Sequence, residues 1–186
     1  MKKILGLILT VFAFVLLTAG PDSNKAEAAR VAVLPLQTDN LVVDTEEDTN
    51  DYSSLYWDVA TDLFKFPAFE LLGDDEVQKA LPKEGLKDYS EATLKSMADK
   101  TESDIVIAMR LDNITSKNVF SRLERTEKTI MKGEFASYNR ISGKYQHKLI
   151  DDENEVEEVL LVRGNWRAEL FSKMAQRYMA RAMKLK

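Results

Sequence analysis

The chain reads as a single α/β (α+β) domain: one mixed β-sheet with helices packed on it, in the order β-α-β-α-α-β-β-β-β-α. Three observations predict this. Two apolar runs, Arg30 to Leu36 and Asp104 to Leu111, are rich in valine and isoleucine without polar alternation, the pattern of strands buried on both faces. Between them the apolar residues recur at helical spacing, and strands alternating with helices usually build a covered sheet. Beyond them, two strand-like runs flank a short loop containing Gly143, a hairpin pattern, and the chain closes on a long amphipathic stretch.

Ahead of the first strand lies a different kind of segment. Met1-Lys2-Lys3 is a short positive start, and Ile4 to Leu17 then runs fourteen residues without a charge. A membrane-spanning helix needs about 20 apolar residues, so the run fits the apolar core of a secretory signal peptide. Ala26-Glu27-Ala28 offers small residues at the positions a signal peptidase reads, which places cleavage between Ala28 and Ala29. Residues 1–28 are therefore expected to be a signal peptide and residues 29–186 the domain, exported to the periplasm, cell surface or medium. An earlier cut near Thr18-Ala19-Gly20 and an uncleaved anchor are the alternatives. After cleavage no stable membrane span is expected.

Within the domain, the Arg30 to Leu36 strand leads into an acidic stretch, Gln37 to Asp51, read as a solvated loop. Leu55, Val59 and Leu63, with Tyr56, Ala60 and Phe64 beside them, mark a helix capped by Ser53 or Ser54 and ended by Pro67. Ala68 to Leu72 is a short strand. Asp74 or Asp75 caps a short helix through Leu81, and Ser90 caps another whose inner face is Leu94, Met97 and Ala98. Asp104 to Leu111 follows as a strand. Lys128 to Arg140 and Lys144 to Ile150 then form the hairpin, with Tyr145, His147 and Leu149 expected on its covered face. Asp151 to Glu158 reads as a second acidic loop and Val159 to Val162 as a last strand. From Gly164-Asn165 the closing helix places Trp166, Leu170, Met174, Tyr178 and Ala182 on one face.

Composition limits the chemistry. The chain carries 26 basic and 31 acidic residues; without residues 1–28 these become 23 and 29, a net charge of about −6 over 158 residues. An acidic balance argues against a general nucleic-acid binder. No cysteine is present, which excludes disulfides, a thiol nucleophile and a lipid attached to an amino-terminal cysteine. His147 is the one histidine, too few for a His/Cys zinc site, and is read as a packed or rim residue, because a catalytic base needs a positioned partner. No glycine-rich phosphate loop occurs. The acidic stretches 44–51 and 151–158 are oxygen-rich, yet neither has the spacing of a calcium loop. No catalytic, metal or cofactor residue is therefore assigned. The surface contact singled out is the basic stripe of the closing helix, Arg167, Lys173, Arg177 and Arg181, set against the plain reading of a wet helix face with cations near its carboxyl end.

Val31-Ala32-Val33-Leu34-Pro35-Leu36, then Phe69-Glu70-Leu71-Leu72, then Ser103-Asp104-Ile105-Val106-Ile107-Ala108 resemble, in their order along the chain, a group of bacterial envelope domains. The group includes the amino-terminal domain of TolB, the CsgG fold and LpoB-type activators of cell-wall synthases. Where that group often has glycine around the last of these strands, this chain has Glu102 and Ala108. The resemblance implies an exported, non-catalytic binding or scaffold domain, TolB-like in fold, whose partner is another envelope protein. No site residue carries over from it. The competing reading is a carboxylate-dependent hydrolase acting on cell-wall or exported polymers, which asks for two acids held across a sugar.

Overall fold

Valine, isoleucine and alanine fill the strands at the centre of the molecule, and the helices are held by what those strands present on either side. The computed structural model describes residues 28–43, 51–120, 125–157 and 166–184. The proposed leader up to residue 27, residues 44–50 of the first acidic stretch, the strand expected at Val159 to Val162 and the helix opening at Gly164-Asn165 lie outside the described residues.

The elements are β1 (Ala29–Val33), β2 (Val42–Val43), α1 (Tyr52–Leu63), β3 (Phe69–Leu71), α2 (Asp74–Ala80), α3 (Glu91–Lys100), β4 (Ile105–Phe120), β5 (Arg125–Asn139), β6 (Lys144–Glu157) and α4 (Trp166–Ala182). They build a mixed α+β fold, one six-stranded sheet in the order β3-β1-β4-β5-β6 with β2 added beside the middle of β4, at Asn113 and Ile114. β1 is parallel to β3 and β4, and β4, β5 and β6 form an antiparallel meander. The strand and helix order expected from the sequence holds for the described residues, with β2 added inside the stretch from Gln37 to Asp51 that reads as a loop.

Each sheet face has its own core. Val31, Val33, Ile105, Ile107, Met109, Leu111 and Phe135 meet α1 and α4. Ala32, Leu34, Val106, Ala108 and Ala136 meet α2 and α3, through Val77, Leu94, Met97 and Ala98. The alternation along β1 and β4 explains why both runs are apolar throughout: both sides of each strand are covered. On α1 the fully buried stripe is Tyr52, Tyr56 and Ala60, and Leu55, Val59 and Leu63 pack at its margin. Asp51, rather than Ser53 or Ser54, caps this helix, its Oδ1 accepting from both serine N–H groups at 3.1 Å. Gly73, rather than an aspartate, precedes α2. Ser90 caps α3 as expected, accepting from Thr93 N–H.

Two expectations are corrected. Asp151 to Glu157 is no loop but the second half of β6, paired residue by residue with β5. Its acids are accommodated by cations across the strand pair: Lys132 stands opposite Asp151, Lys128 opposite Glu155, and Lys128 also pairs with Glu153. Opposite charges facing each other in a sheet are favourable. Likewise Tyr145, His147 and Leu149 do not share a covered face. Tyr145 is half-buried, His147 is exposed and Leu149 is 75% exposed, while Ile150 on the other face is the buried residue of the strand. The helices α2 and α3 reach across β1, β4 and the end of β5, and on β6 Tyr145 packs at their margin.

Candidate functional site

Pro35 stands two residues beyond the end of β1 and has no N–H to give, yet the chain stays on β4 beyond it. Leu34 N–H donates to Ile107 O at 2.8 Å, Gln37 N–H to Met109 O at 3.1 Å, and Leu111 N–H to Gln37 O at 2.9 Å. This holds residues 34–39 as one wall of a cleft of about 500 Å³ at the carboxyl end of β1. The other wall comes from the end of α2 and the loop behind it, Leu81, Pro82, Lys83, Glu84 and Leu86, with Tyr89 and Ala108 at the floor. Open sheets with parallel strands commonly bind ligands outside the carboxyl ends of those strands.

Two close contacts shape it. Gly85 has φ +74°, and a Cβ there would stand 3.0 Å from Gln37 Nε2, so glycine both permits the turn and lets the two walls approach. Tyr89 is buried and donates its hydroxyl to Gln37 Oε1 at 2.5 Å. Burial pushes the Tyr89 phenol well above its ordinary value, opposed by the nearby Arg110 guanidinium and helped by Glu134, Asp112 and Asp39. The hydroxyl is thus kept protonated as a donor.

A ladder of charges runs from this cleft across the sheet. The Arg110 guanidinium lies 5.7 Å from the centre of the Tyr89 ring and bonds Asp112 Oδ1 at 2.7 Å and Glu134 Oε2 at 3.0 Å. The hydrogen bond to Asp112, more than any other contact, holds the Arg110 pKa above its usual value. His147 Nε2 stands 2.6 Å from Glu134 Oε1. Tyr145 stacks near His147 and donates its hydroxyl to Tyr89 O at 2.5 Å. The imidazole is therefore held on the same Glu134 carboxylate that pairs with Arg110. Chemically, the arrangement offers apolar contact from Leu81, Pro82 and Leu86, carboxylates from Asp39 and Glu84, and one cation from Lys83. It suits recognition of a mixed polar and apolar surface.

The residues singled out from sequence lie elsewhere. Ala28 is half-buried, and Ala29 opens β1 with its N–H donating to Ala68 O at 3.1 Å, so the expected cleavage point falls at the first residue of the sheet. Lys173, Arg177 and Arg181 do line the outer face of α4. Lys173 pairs with Glu169, Arg177 pairs with Asp152, and the Arg177 and Arg181 guanidinium groups lie over the Tyr178 ring at 5.2 and 5.3 Å. Arg167 points inward: it is 7% exposed and donates to Ser116 Oγ at 2.7 Å. Sequence reasoning passed over Gln37, Tyr89, Arg110 and Glu134, which converge from four separate segments. The sequence signals that could have found this neighbourhood are Pro35 inside the apolar run Arg30 to Leu36 and the Pro82 to Gly85 turn.

No protein-family model matches the chain and no curated protein matches it. Among solved structures it is similar to a lipoprotein from Neisseria meningitidis, with 9% identity over 82% of this chain and 99% of that one, at a TM-score of 0.41. It is also similar to the LpoB C-terminal domain from Salmonella enterica, with 9% identity over 70% and 83% of the two chains, at a TM-score of 0.37. A hypothetical protein from Chlamydia trachomatis is similar at 10% identity over 83% and 91%, with a TM-score of 0.38. The first two of these neighbours are by name a lipoprotein and an LpoB domain, and the likeness to all three is distant. Among the described residues no helix is long and apolar enough to cross a membrane.

Proposed function

We propose that residues 29–186 form an exported, non-catalytic binding domain of the bacterial cell envelope, released from a leader of residues 1–28, and that its cleft receives another envelope protein. The observation that carries this reading is the cleft itself. It joins apolar side chains to a charged rim, and its floor hydroxyl is spent on Gln37 rather than left to act on a substrate. The His147 imidazole supports the same reading, because it is exposed on β6 and does not line the cleft. A general base needs its nitrogen directed at a proton to be removed. The apolar leader and the sequence resemblance to envelope domains supply the compartment.

The test reverses the rim. Lys83 and Glu84 are both exposed beside the cleft, so Lys83→Glu with Glu84→Lys keeps the net charge and the fold. Tagged protein is expected to capture a specific partner from envelope extract, and the double variant to capture about tenfold less or worse, since misplaced charges at an interface are costly. Equal capture by both forms removes the cleft from the reading. Turnover of a cell-wall polymer without specific capture replaces it with the hydrolase.

A further inference from the structure

Strand β6 is the last strand of the sheet, and its inner side is paired with β5 from Lys144 to Glu157. Among the described residues nothing pairs with its outer side. A strand edge of 14 residues is long, and such an edge is a template for another strand. Its sequence, KYQHKLIDDENEVE, is divided by charge. Lys144, His147 and Lys148 precede Leu149, whereas Asp151, Asp152, Glu153, Glu155 and Glu157 follow Ile150. At the division Leu149 is 75% exposed, an isolated large apolar side chain on a charged strand.

A strand whose first half is basic and whose second half is acidic repels a parallel copy of itself and complements an antiparallel one. We propose that two copies of the chain join through β6, antiparallel about a twofold axis at Leu149, so that the two sheets continue into one. This interface is separate from the cleft and does not rest on its function. Facing residues of an antiparallel pair lie on the same side of the sheet, so the axis must pass through a residue, not between two. An axis at Leu149 sets that leucine against its counterpart and removes both from water. It also sets His147 opposite Asp151 of the second copy and Lys148 diagonal to Asp152 of the second copy, and such cross-strand pairs are the unit of sheet stabilisation. An axis at Ile150 would instead set Leu149 against Asp151. The pairing is self-complementary, as a twofold interface must be. Within each chain Arg177 already pairs with Asp152 and Lys128 with Glu153, which lowers the acidic excess that two such strands bring together.

Two measurements test it. In sedimentation equilibrium at micromolar concentration the purified protein is expected at twice the mass of one chain, and Leu149→Asp at the mass of one chain with an unchanged far-ultraviolet circular dichroism spectrum. The chain has no cysteine, so Leu149→Cys introduces two thiols that face each other across the axis. Under mild oxidation that variant is expected to form a disulfide-linked dimer about tenfold faster than Lys144→Cys, whose two copies lie ten residues apart along the strands, about 34 Å. A single-chain mass for the unaltered protein overturns the proposal, including the case in which β6 instead awaits a strand of another protein. Equal crosslinking rates overturn the register.

Discussion

Tyr56 sits on α1 with its ring in the core and its hydroxyl buried without a hydrogen-bond partner among the described residues. A buried, unpaired hydroxyl costs about 1 to 3 kcal/mol of lost hydration. Tyr56→Phe keeps the ring and deletes that cost, so the variant is expected to be more stable by about 1 kcal/mol, read as a rise in the urea midpoint with an unchanged slope. A lower midpoint would show that the hydroxyl has a partner. At this scale the sequence is readable where a choice is purely local. Ser90 caps α3 directly ahead of its first apolar-periodic turn, with Asp88 accepting from Ser90 N–H and so steadying the cap. The cap of α1 was not readable, because Asp51, Ser53 and Ser54 all qualify. Burial of Tyr52 against Phe171, with ring centres 5.1 Å apart, sets where the first turn begins and so selects Asp51.

Among the elements, β4 and β5 are joined most closely at Gly133. Their register shifts between Leu111 and Asn113, and a Cβ on Gly133 would stand 2.1 Å from the Arg110 carbonyl oxygen. Backbone cannot yield as a flexible side chain can, so Gly133→Ala is expected to destabilise the protein by about 3 kcal/mol, the upper range for forcing extra volume into a packed site. Thermal unfolding checks it; a loss under about 0.5 kcal/mol would mean that the bulge adjusts freely. The same strands show why β6 was half missed. Its first half alternates and reads as a strand. Its second half is nearly all acid and reads as a loop, since the lysines that neutralise it belong to β5 and meet it only through the pairing register. The covered face expected for Tyr145, His147 and Leu149 failed for a related reason: alternation tells which side chains point together, and not whether a helix reaches them.

For the molecule as a whole, two of the buried phenols, Tyr56 and Tyr89, link stability to alkaline pH. Burial raises Tyr56 chiefly, with a further rise from Tyr89, and burial likewise dominates at Tyr89. A phenol raised in the fold favours the neutral form there, so its contribution is complete below the ordinary phenol value of about 10 and is lost as pH climbs beyond it. Stability to urea is therefore expected to hold from neutrality to about pH 9 and to fall steeply above about pH 10, with phenolate absorbance from these two residues appearing only as the chain unfolds. Early titration of all six tyrosines in the folded protein would contradict it. Ionised Tyr89 would also lose its donation to Gln37 and open the cleft, so capture of a partner should fail over the same range.

The sequence by itself determined the sheet-and-helix class, the order of elements, the two core-facing strands and the stripes of α3 and α4, because each follows from the spacing of apolar residues along a few turns of chain. Tertiary structure alone decided the cleft, the charge ladder from Asp112 to His147, the inward turn of Arg167 and the continuation of β6 through its acids. Those features depend on which distant residues are brought face to face, and a linear pattern carries the spacing of neighbours but not the register between strands.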